Sequence, residues 1–305
     1  MKPTVVSARA VFVEVRLLAG SLPDAATLER ALDLAARAPS VQNSQPWRWR
    51  VGRDGLDLYV DWSRQLGDTD SDRRDVLLSC GAVLDHCLTA LAAVGWSPRV
   101  RRFPDPDDSS HLALIELVEM PARPVNIELA EAIPRRRADR RRYSAESIPA
   151  GTLEFFHIRA ARCKVAMGVV PKIRWARLEE GDVTLRYARD VGSANGADTD
   201  DAAMVVLGTD SDTDSMRLRA GETLSQIALS ATAMGLASCP LTQPLQNARD
   251  RLALGCEVFE GEAYPQTLLR LGWAPTSGDP LTPVARRPVS QITTWDAEPG
   301  RVAAP

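Results

Sequence analysis

Apolar residues recur with a helical period in three stretches of the chain. Between Asp24 and Pro39 they fall at the i, i+3, i+4 and i+7 positions of one helix face, with Asp24 as the capping residue. A longer helix with one apolar stripe is predicted from about Asp72 to Gly95, and a further helix ends at Gly235. The pattern therefore predicts three amphipathic helices.

Short alternating or wholly apolar runs predict strands between these helices. The run WRWRV, a turn from Gly52 to Gly55 and the run LDLYV predict a hairpin with one buried face. Residues 151–200 show no clear period, and residues 121–149 are interpreted as a connection. Further strands are predicted at residues 1–18 and at Arg99–Phe103, His111–Val118, Ala203–Gly208 and Thr267–Leu271.

A weak internal repeat relates the two longer helices. The sixteen residues from Gly81 align with the sixteen residues from Gly221, with glycines in register at both ends and Leu84 opposite Leu224. Each copy is followed at some distance by a strand. The offset of 140 residues is close to half the chain, so the repeat indicates two related α+β halves.

Composition narrows the class of protein. The chain has 305 residues, of which 45% are apolar and 25% charged, as in a soluble globular protein. Its net charge of -3 gives no basic field, so nucleic acid is not an expected partner. No apolar run reaches the roughly 18 residues of a membrane-spanning helix, and the chain start lacks a signal peptide, so we expect a cytoplasmic protein without membrane contact. The five cysteines are odd in number and form no CxxC pair, which indicates buried thiols in a reducing compartment.

The sequence lacks the most common catalytic and nucleotide-binding motifs. It contains no GxGxxG, GxxxxGK[ST], GxSxG or HExxH, and its three histidines are isolated from one another. Two aspartate runs, beginning at Asp68 and Asp210, imitate the start of a calcium loop but lack the glycine and the final glutamate that such a loop needs. No metal site is therefore predicted.

The loop after the first helix is rich in hydrogen-bonding side chains. Pro39 ends the helix, and the residues that follow carry amide or hydroxyl groups. These are Ser40, Gln42, Asn43 and Gln45. Amide and hydroxyl groups in such a turn can bind the donor and acceptor edge of a planar heterocycle. The alternative is a capped loop in which these side chains bond to their own backbone.

Arginine supplies all but three of the 37 basic residues and is concentrated in two segments. In the first segment, residues 135–142, Arg137 and Arg141 are four residues apart, so on a helical turn they would face one way and could bind one phosphate. In the second segment, Arg286 and Arg287 could supply further charge to the same anion. The alternatives are a solvated basic face for the first segment and an exposed tail for the second.

Three segments together resemble the nitroreductase superfamily. APSVQNSQPWRW resembles the flavin-contacting loop of these proteins, RRADRRRY their phosphate-binding arginine segment, and MGLASCPL the turn that faces the flavin ring. The arginine segment follows the loop here instead of preceding it. That order, with the two longer helices, YPQTLLRLGW and RRPV, is similar to the actinobacterial Acg family of NAD(P)H nitroreductases, in which two nitroreductase-like halves are fused. The resemblance covers most of the chain.

The resemblance implies a nitroreductase-like α+β fold in which two tandem halves, residues 1–123 and 124–305, form a pseudo-dimer with central antiparallel or mixed sheets flanked by helices. It implies one FMN per chain, NAD(P)H as electron donor, and a monomer, because the fusion supplies both sides of the site. No catalytic side chain is implied, because the chemistry takes place at N5 of the flavin. The cofactor-binding residues that it implies are Pro39, Ser40, Gln42, Asn43, Gln45, Arg137, Asp139, Arg141, Thr242, Gln243, Arg286 and Arg287.

Several positions depart from the family pattern or carry an individual expectation. Asp139 replaces a small hydroxyl residue and would repel a phosphate unless an arginine such as Arg140 binds it. Thr242 replaces an acidic residue, and Arg141 is the cation expected to stabilise the reduced flavin. Residues 151–200 fit the family least and could form a lid over the flavin. Two functions stay open: an oxidoreductase that passes electrons from NAD(P)H to a small nitroaromatic, quinone or similar acceptor, and a protein that stores FMN without turnover.

Overall fold

The computed structural model describes residues 22–53, 55–178, 181–187, 201–276, 279 and 281–296. The strand predicted at the chain start lies outside these residues. Within them the α-helices are α1 (Ala25–Ala36), α2 (Asp70–Ala93), α3 (Pro124–Ala132), α4 (Thr152–Arg162), α5 (Asp214–Ala233), α6 (Ala248–Phe259) and α7 (Val289–Ile292). The strands are β1 (Trp47–Val51), β2 (Leu56–Val60), β3 (Trp96–Arg102), β4 (His111–Glu119), β5 (Ala166–Val169), β6 (Trp175–Arg177), β7 (Val183–Leu185), β8 (Ala203–Thr209), β9 (Ala237–Leu241), β10 (Tyr264–Gly272) and β11 (Thr293–Trp295).

The caps and apolar stripes of the sequence account for the predicted helices, all three of which are confirmed. Asp24 caps α1 by accepting a hydrogen bond from the amide of Thr27 at 2.8 Å. Thr69 and Asp72 form a reciprocal capping box at the start of α2. Gly235, with a φ of 83°, follows α5 in the left-handed conformation that glycine adopts readily.

Two stretches contain elements that the sequence pattern did not reveal. Residues 121–149, interpreted as a connection, contain α3, which begins at Pro124, and proline favours the first turn of a helix. Residues 151–187 contain α4 and three strands of three or four residues each. Only Phe156 and Ala160 of α4 are buried, and strands this short show no alternation that can be recognised.

The strands form two larger sheets and one small one. In the described residues the first sheet has the order β11-β1-β2-β4-β3, the second has the order β5-β8-β10-β9, and β6 pairs with β7. The predicted hairpin is confirmed, because β1 and β2 pair antiparallel. β11 pairs parallel with β1, so that Thr293 lies opposite Trp49. A strand from the far end of the chain therefore extends the first sheet, and the division at residues 123 and 124 stays a prediction.

α2 and α5 pack directly on each other and join the units built around the two sheets. A Cβ on Gly81 would lie 2.0 Å from the carbonyl oxygen of Leu218, and a Cβ on Gly221 would lie 2.1 Å from that of Leu78. Gly81 and Gly221 are equivalent positions of the internal repeat, and so are Leu78 and Leu218. The repeat thus relates two helices that cross at their equivalent glycines.

Among the described helices, α2 is long and apolar enough to span a membrane by length and composition alone. Asp85 and His86 interrupt it, so it is not an unbroken apolar run in the sequence. Most of the helix is buried in the protein, where it packs against α1, α3 and α5. This burial is that of a core helix.

The five cysteines, all within the described residues, are free thiols. Cys80, Cys87 and Cys239 are buried as predicted, and Cys163 is half-buried. The prediction of burial is wrong for Cys256, which is exposed on α6, a helix that buries only Leu254 and Gly255.

Candidate functional site

A cleft lies between the loop that follows α1, residues 136–140 and residues 239–246. It consists of two adjoining cavities, which we call the β9 cavity, of about 450 Å³, and the arginine cavity, of about 410 Å³. The polar residues that line the β9 cavity are Ser40, Gln42, Ser79, Arg140, Asp182, Thr242, Gln243 and Gln246. Those that line the arginine cavity are Arg37, Ser40, Gln42, Asn43, Arg136, Arg137, Arg140, Thr282 and Arg286. Pro39, Ser40, Gln42, Ala138 and Arg140 line both, so the two cavities are continuous.

The loop after α1 has a strained backbone. Gln42, Asn43 and Gln45 have φ values of 47°, 57° and 48°, in the left-handed region that residues with a Cβ rarely adopt. Hydrogen bonds hold this shape: the amide of Gln45 donates to Ser40 Oγ at 3.1 Å, and the amide of Val41 donates to Ser79 Oγ at 3.2 Å. Strain of this kind persists only where surrounding contacts enforce it, and it is often found at binding sites.

The segment near the end of the chain fixes the loop from the other side. Arg286 Nη1 donates to Asn43 Oδ1 at 2.8 Å, and Asn43 Nδ2 donates to the carbonyl of Ala285 at 3.1 Å. The amide of Arg287 donates to Gln45 Oε1 at 2.8 Å. Gln45 is buried and Arg287 contacts its carbonyl, so these two residues hold the loop in place and do not line the cleft.

The arginine cavity gathers five guanidinium groups without a carboxylate in its described lining. Arg136 is only 4% exposed, and its Nε and Nη1 atoms have no hydrogen-bond partner in the described part of the chain. The Nε atoms of Arg37, Arg137 and Arg286 are likewise buried and unpaired within that part. Buried donors of this kind are costly unless an acceptor binds them, so the cavity is suited to an anion with several oxygen atoms.

The pKa values reflect the same crowding of positive charge. Burial, together with the neighbouring charges of Arg286 and Arg137, lowers the pKa of Arg136 to about 10. The pKa of Arg286 is also lowered, by burial and by the charges of Arg137 and Arg37. A bound anion would relieve both the mutual repulsion and the unpaired donors.

The predicted helical turn between Arg137 and Arg141 is absent from this described segment. A turn at residues 133–135 follows α3, and Ala138 then forms a parallel bridge with Ser238 of β9. Because this bridge interrupts the segment, Arg137 and Arg141 do not share a helical turn, and Arg137 Nη1 donates to the carbonyl of Pro134 at 2.8 Å. Arg141 Nη2 instead lies 2.8 Å from Asp139 Oδ2.

Asp139 and its neighbours therefore have different partners from those expected. Asp139 is 3% exposed and is bound by Arg141, not by Arg140. Arg140 forms an ion pair with Asp182, and its side chain lines both cavities. The cation that faces the cleft at this position is Arg140, whereas Arg141 neutralises the buried carboxylate.

The far wall of the β9 cavity combines the end of β9 with α2. Thr242 and Gln243 line it directly after β9, and Ser79 lines it from α2. Asp75, one helical turn before Ser79, is buried behind this wall. The pKa of Asp75 is raised to about 6, because the effect of burial exceeds the lowering effects of the charge of Arg74 and of the polar side chains of Thr242 and Gln246.

Part of the stretch expected to form a lid reaches the cleft. Asp182, which directly precedes β7, lines the β9 cavity and is the partner of Arg140. Arg177 of β6 donates to the carbonyl of Arg140 at 3.1 Å. The β6–β7 pair therefore borders the β9 cavity, whereas residues 188–200 of the expected lid lie outside the described residues.

Eight of the twelve predicted site residues line the cleft, and four do not. Those that do are Pro39, Ser40, Gln42, Asn43, Arg137, Thr242, Gln243 and Arg286. Those that do not are Gln45, Asp139, Arg141 and Arg287, which bond to the loop or to one another. The polar lining residues that are absent from the predicted set are Arg37, Ser79, Arg136, Arg140, Asp182, Gln246 and Thr282. Only Arg136 and Arg140 carried a signal, as members of the basic run, because the other residues reach the cleft through tertiary packing.

The fold is that of the nitroreductases, an α+β class. A solved structure described as a "putative nitroreductase" of Anabaena variabilis matches with a TM-score of 0.50 and 12% sequence identity, over 83% of this chain and 90% of that chain. The predicted α+β nitroreductase-like fold is confirmed at this level. No protein-family profile matches the chain.

Sequence comparison gives the family. "Putative NAD(P)H nitroreductase Rv3131" of Mycobacterium tuberculosis is 40% identical over 321 residues, an alignment that covers 90% of this chain and 93% of that protein. "Putative NAD(P)H nitroreductase acg" of the same organism is 31% identical over 316 residues, covering 87% of this chain and 94% of that protein. The chain belongs to the family of NAD(P)H nitroreductases that includes Acg.

Proposed function

We propose that the protein binds one FMN in the cleft and is an NAD(P)H-dependent oxidoreductase that reduces small nitroaromatic, quinone or similar acceptors. The phosphate would lie in the arginine cavity and the flavin ring in the β9 cavity. Both the family and the sequence motifs support this cofactor. When bound, FMN would supply the hydride acceptor and donor of the reaction.

The observation that carries the proposal is the buried guanidinium of Arg136. Its two unpaired nitrogen atoms lie beside a cavity that holds four more arginines and has no carboxylate in its described lining. A phosphate carries several acceptor oxygens and negative charge, and thus satisfies both requirements at once. A neutral ligand would leave the repulsion among the arginines in place.

The remaining residues have separate roles in this proposal. Ser40 and Gln42 would bind the ribityl chain and the ring edge, because they line both cavities, and Asn43 would bind the ribityl chain from the arginine cavity. Thr242 and Gln243 would face the reacting edge of the ring. Arg140 would stabilise negative charge on the reduced ring by position alone, without transferring a proton.

The border formed by β6 and β7 favours a second candidate function. If the ion pair between Arg140 and Asp182 keeps this border closed over the ring, a nicotinamide cannot stack on the flavin, and the protein would store FMN without turnover. The two functions share the FMN site and differ only in access to it. Both are consistent with a monomer, since one chain supplies every part of the cleft.

One experiment distinguishes these functions. The purified protein is supplied with FMN, freed of excess flavin, and its absorbance is recorded before and after anaerobic addition of NADPH and, separately, NADH. Bleaching that a nitroaromatic or quinone reverses is the expected result. A bound flavin that stays oxidised with both donors would favour storage, and no retained flavin would refute the site assignment.

A further inference from the structure

Asp75 is a buried acid that the proposed reaction does not yet use. It is 4% exposed, and its Oδ1 atom has no hydrogen-bond partner in the part of the chain that the structure describes. Ser79, one helical turn further along α2, donates its hydroxyl to the carbonyl of Asp75 at 2.7 Å and lines the β9 cavity. Asp75 therefore lies one turn from a residue of the cavity wall.

Two polar side chains separate the carboxyl of Asp75 from the β9 cavity. Thr242 and Gln246 both line the cavity, and their polar side chains are near enough to lower the pKa of this carboxyl. Gln246 is exposed, so this side of Asp75 also leads to solvent. A single layer of neutral polar side chains thus lies between the acid and both the cavity and water.

The charged groups around Asp75 leave it sensitive to a charge in the cavity. On its own helix, Arg74 lowers its pKa and Asp72 raises it, whereas Thr242 and Gln246 on the facing segment are uncharged. The guanidinium of Arg74 is itself buried and donates to the carbonyl of Leu245 at 3.2 Å. Because burial raises the pKa of Asp75 to about 6, a modest change in local potential changes its protonation near neutral pH.

We propose that Asp75 takes up one proton from solvent when negative charge arises in the β9 cavity. The inference rests on the proposed function, in which electrons from NAD(P)H place that charge on the flavin ring. In the step itself, a solvent proton adds to a carboxylate oxygen and one O–H bond forms, with no change in the oxidation state of the protein. Asp75 is thus a positioning residue, which stores a proton next to the ring and acts through Thr242.

The test is the pH dependence of the midpoint potential of bound FMN between pH 5 and 8. If Asp75 takes up a proton, the two-electron reduction of FMN consumes one proton more. The equilibrium constant of that reduction then falls by a further factor of ten per pH unit, so the midpoint potential falls by about 30 mV more per pH unit. In the wild type we expect a range of pH, beginning near pH 6, in which the midpoint potential falls more steeply. This steeper range should be absent from Asp75→Asn. Asp107→Asn, an exposed acid between β3 and β4, is the matched control and should keep it.

A second variant tests the connection through Thr242. Thr242→Val keeps the acid but removes the hydroxyl that lowers its pKa, so the steeper range should begin at higher pH. Equal slopes in wild type and Asp75→Asn would overturn the proposal, and so would an unchanged range in Thr242→Val. Failure of the proposed function has a different signature, because then neither the wild type nor the control retains FMN.

Discussion

At Arg136, burial has opposite consequences for the unliganded and the FMN-bound protein. Without an anion, the guanidinium is charged, nearly inaccessible to water and repelled by Arg137 and Arg286. Its pKa of about 10 means that burying the charge costs a few kcal/mol. With a phosphate bound, the same unpaired donors become charge-assisted hydrogen bonds.

We therefore expect Arg136→Gln to stabilise the unliganded protein and to weaken FMN binding. The free energy of unfolding should rise by about 1 kcal/mol, because relief of the buried charge exceeds the loss of the 3.3 Å hydrogen bond to the carbonyl of Arg37. FMN affinity should fall at least tenfold, whereas riboflavin, which lacks the phosphate, should bind almost as before. Urea denaturation and fluorescence titration measure the two effects.

Arg135→Gln is the matched control, because Arg135 is the adjacent arginine but is exposed. It should leave both quantities nearly unchanged. If Arg136→Gln lowered riboflavin and FMN affinity equally, Arg136 would not bind the phosphate. A lower free energy of unfolding in the unliganded variant would show that neighbouring groups already compensate the buried charge of Arg136, although two of its nitrogen atoms have no hydrogen-bond partner in the described residues.

At the residue scale, the sequence predicts the chemical type of the site better than the role of each side chain. The polar loop and the arginine run both border the cleft, as expected. Which arginine faces inward depends on the bridge between Ala138 and Ser238, which are 100 positions apart in the sequence, so no local pattern contains it. For the same reason Arg141 was expected at the phosphate, whereas it binds Asp139.

At the scale of elements, the crossing of α2 and α5 depends on two glycines. At Gly81 and at Gly221, the backbone of one helix occupies the space that a Cβ on the other helix would need. Because the opposing atoms are backbone carbonyl oxygens, they cannot move aside as a flexible side chain would. The helices would have to separate, and Leu78 and Leu224, which line the β9 cavity, would move with them.

Gly81→Ala and Gly221→Ala should each destabilise the protein by several kcal/mol, although alanine favours a helix more than glycine does by about 1 kcal/mol. The measurement is thermal or urea unfolding of the unliganded protein. Gly52→Ala serves as the control, since a Cβ there would lie 3.8 Å from the nearest atom. Wild-type stability in either helix variant would mean that the two helices do not pack as closely as described.

The long elements are the ones that the sequence predicts well. α1, α2 and the β1–β2 hairpin carry a strong period and recognisable caps, and each is confirmed. α3 and α4 were missed because they bury few residues, and their burial has no clear period. The parallel pairing of β11 with β1 joins residues more than 240 positions apart, and a three-residue strand contains no signal for its partner.

At the scale of the whole molecule, a buried polar network lies between the two sheet units. Asp85 and His86 of α2 meet Ser225 of α5, whose hydroxyl lies 2.5 Å from Asp85 Oδ2 and 2.8 Å from His86 Nδ1. Asp85 and Ser225 occupy equivalent positions of the repeat. Hydrogen bonds across the repeat thus fix the relative position of the two helices that border the cleft.

Asp85 and His86 make opposite contributions to the pH dependence of stability. Burial raises the pKa of Asp85 to about 7, so between pH 3.8 and 7 the folded state holds a proton that the unfolded state releases, and stability falls as pH rises. Burial and the charge of Arg136 lower the pKa of His86 well below 6.5, so below pH 6.5 the unfolded state binds the additional proton and stability rises with pH. The two slopes largely cancel in the wild type below pH 6.5.

Replacing Asp85 should therefore leave the contribution of His86 to the pH dependence of the free energy of unfolding without the opposing contribution. The difference in free energy of unfolding, Asp85→Asn minus wild type, should increase by up to about 1.4 kcal/mol per pH unit between pH 4.5 and 7. Above pH 7 this difference should stay level. Urea denaturation of the unliganded proteins at half-unit intervals from pH 4.5 to 8 gives this difference. For the exposed control Asp107→Asn the difference should be constant, because that carboxyl is in contact with solvent. A constant difference for Asp85→Asn as well would mean that Asp85 is charged in the folded protein, in which case the interface between α2 and α5 contains a carboxylate held by Ser225.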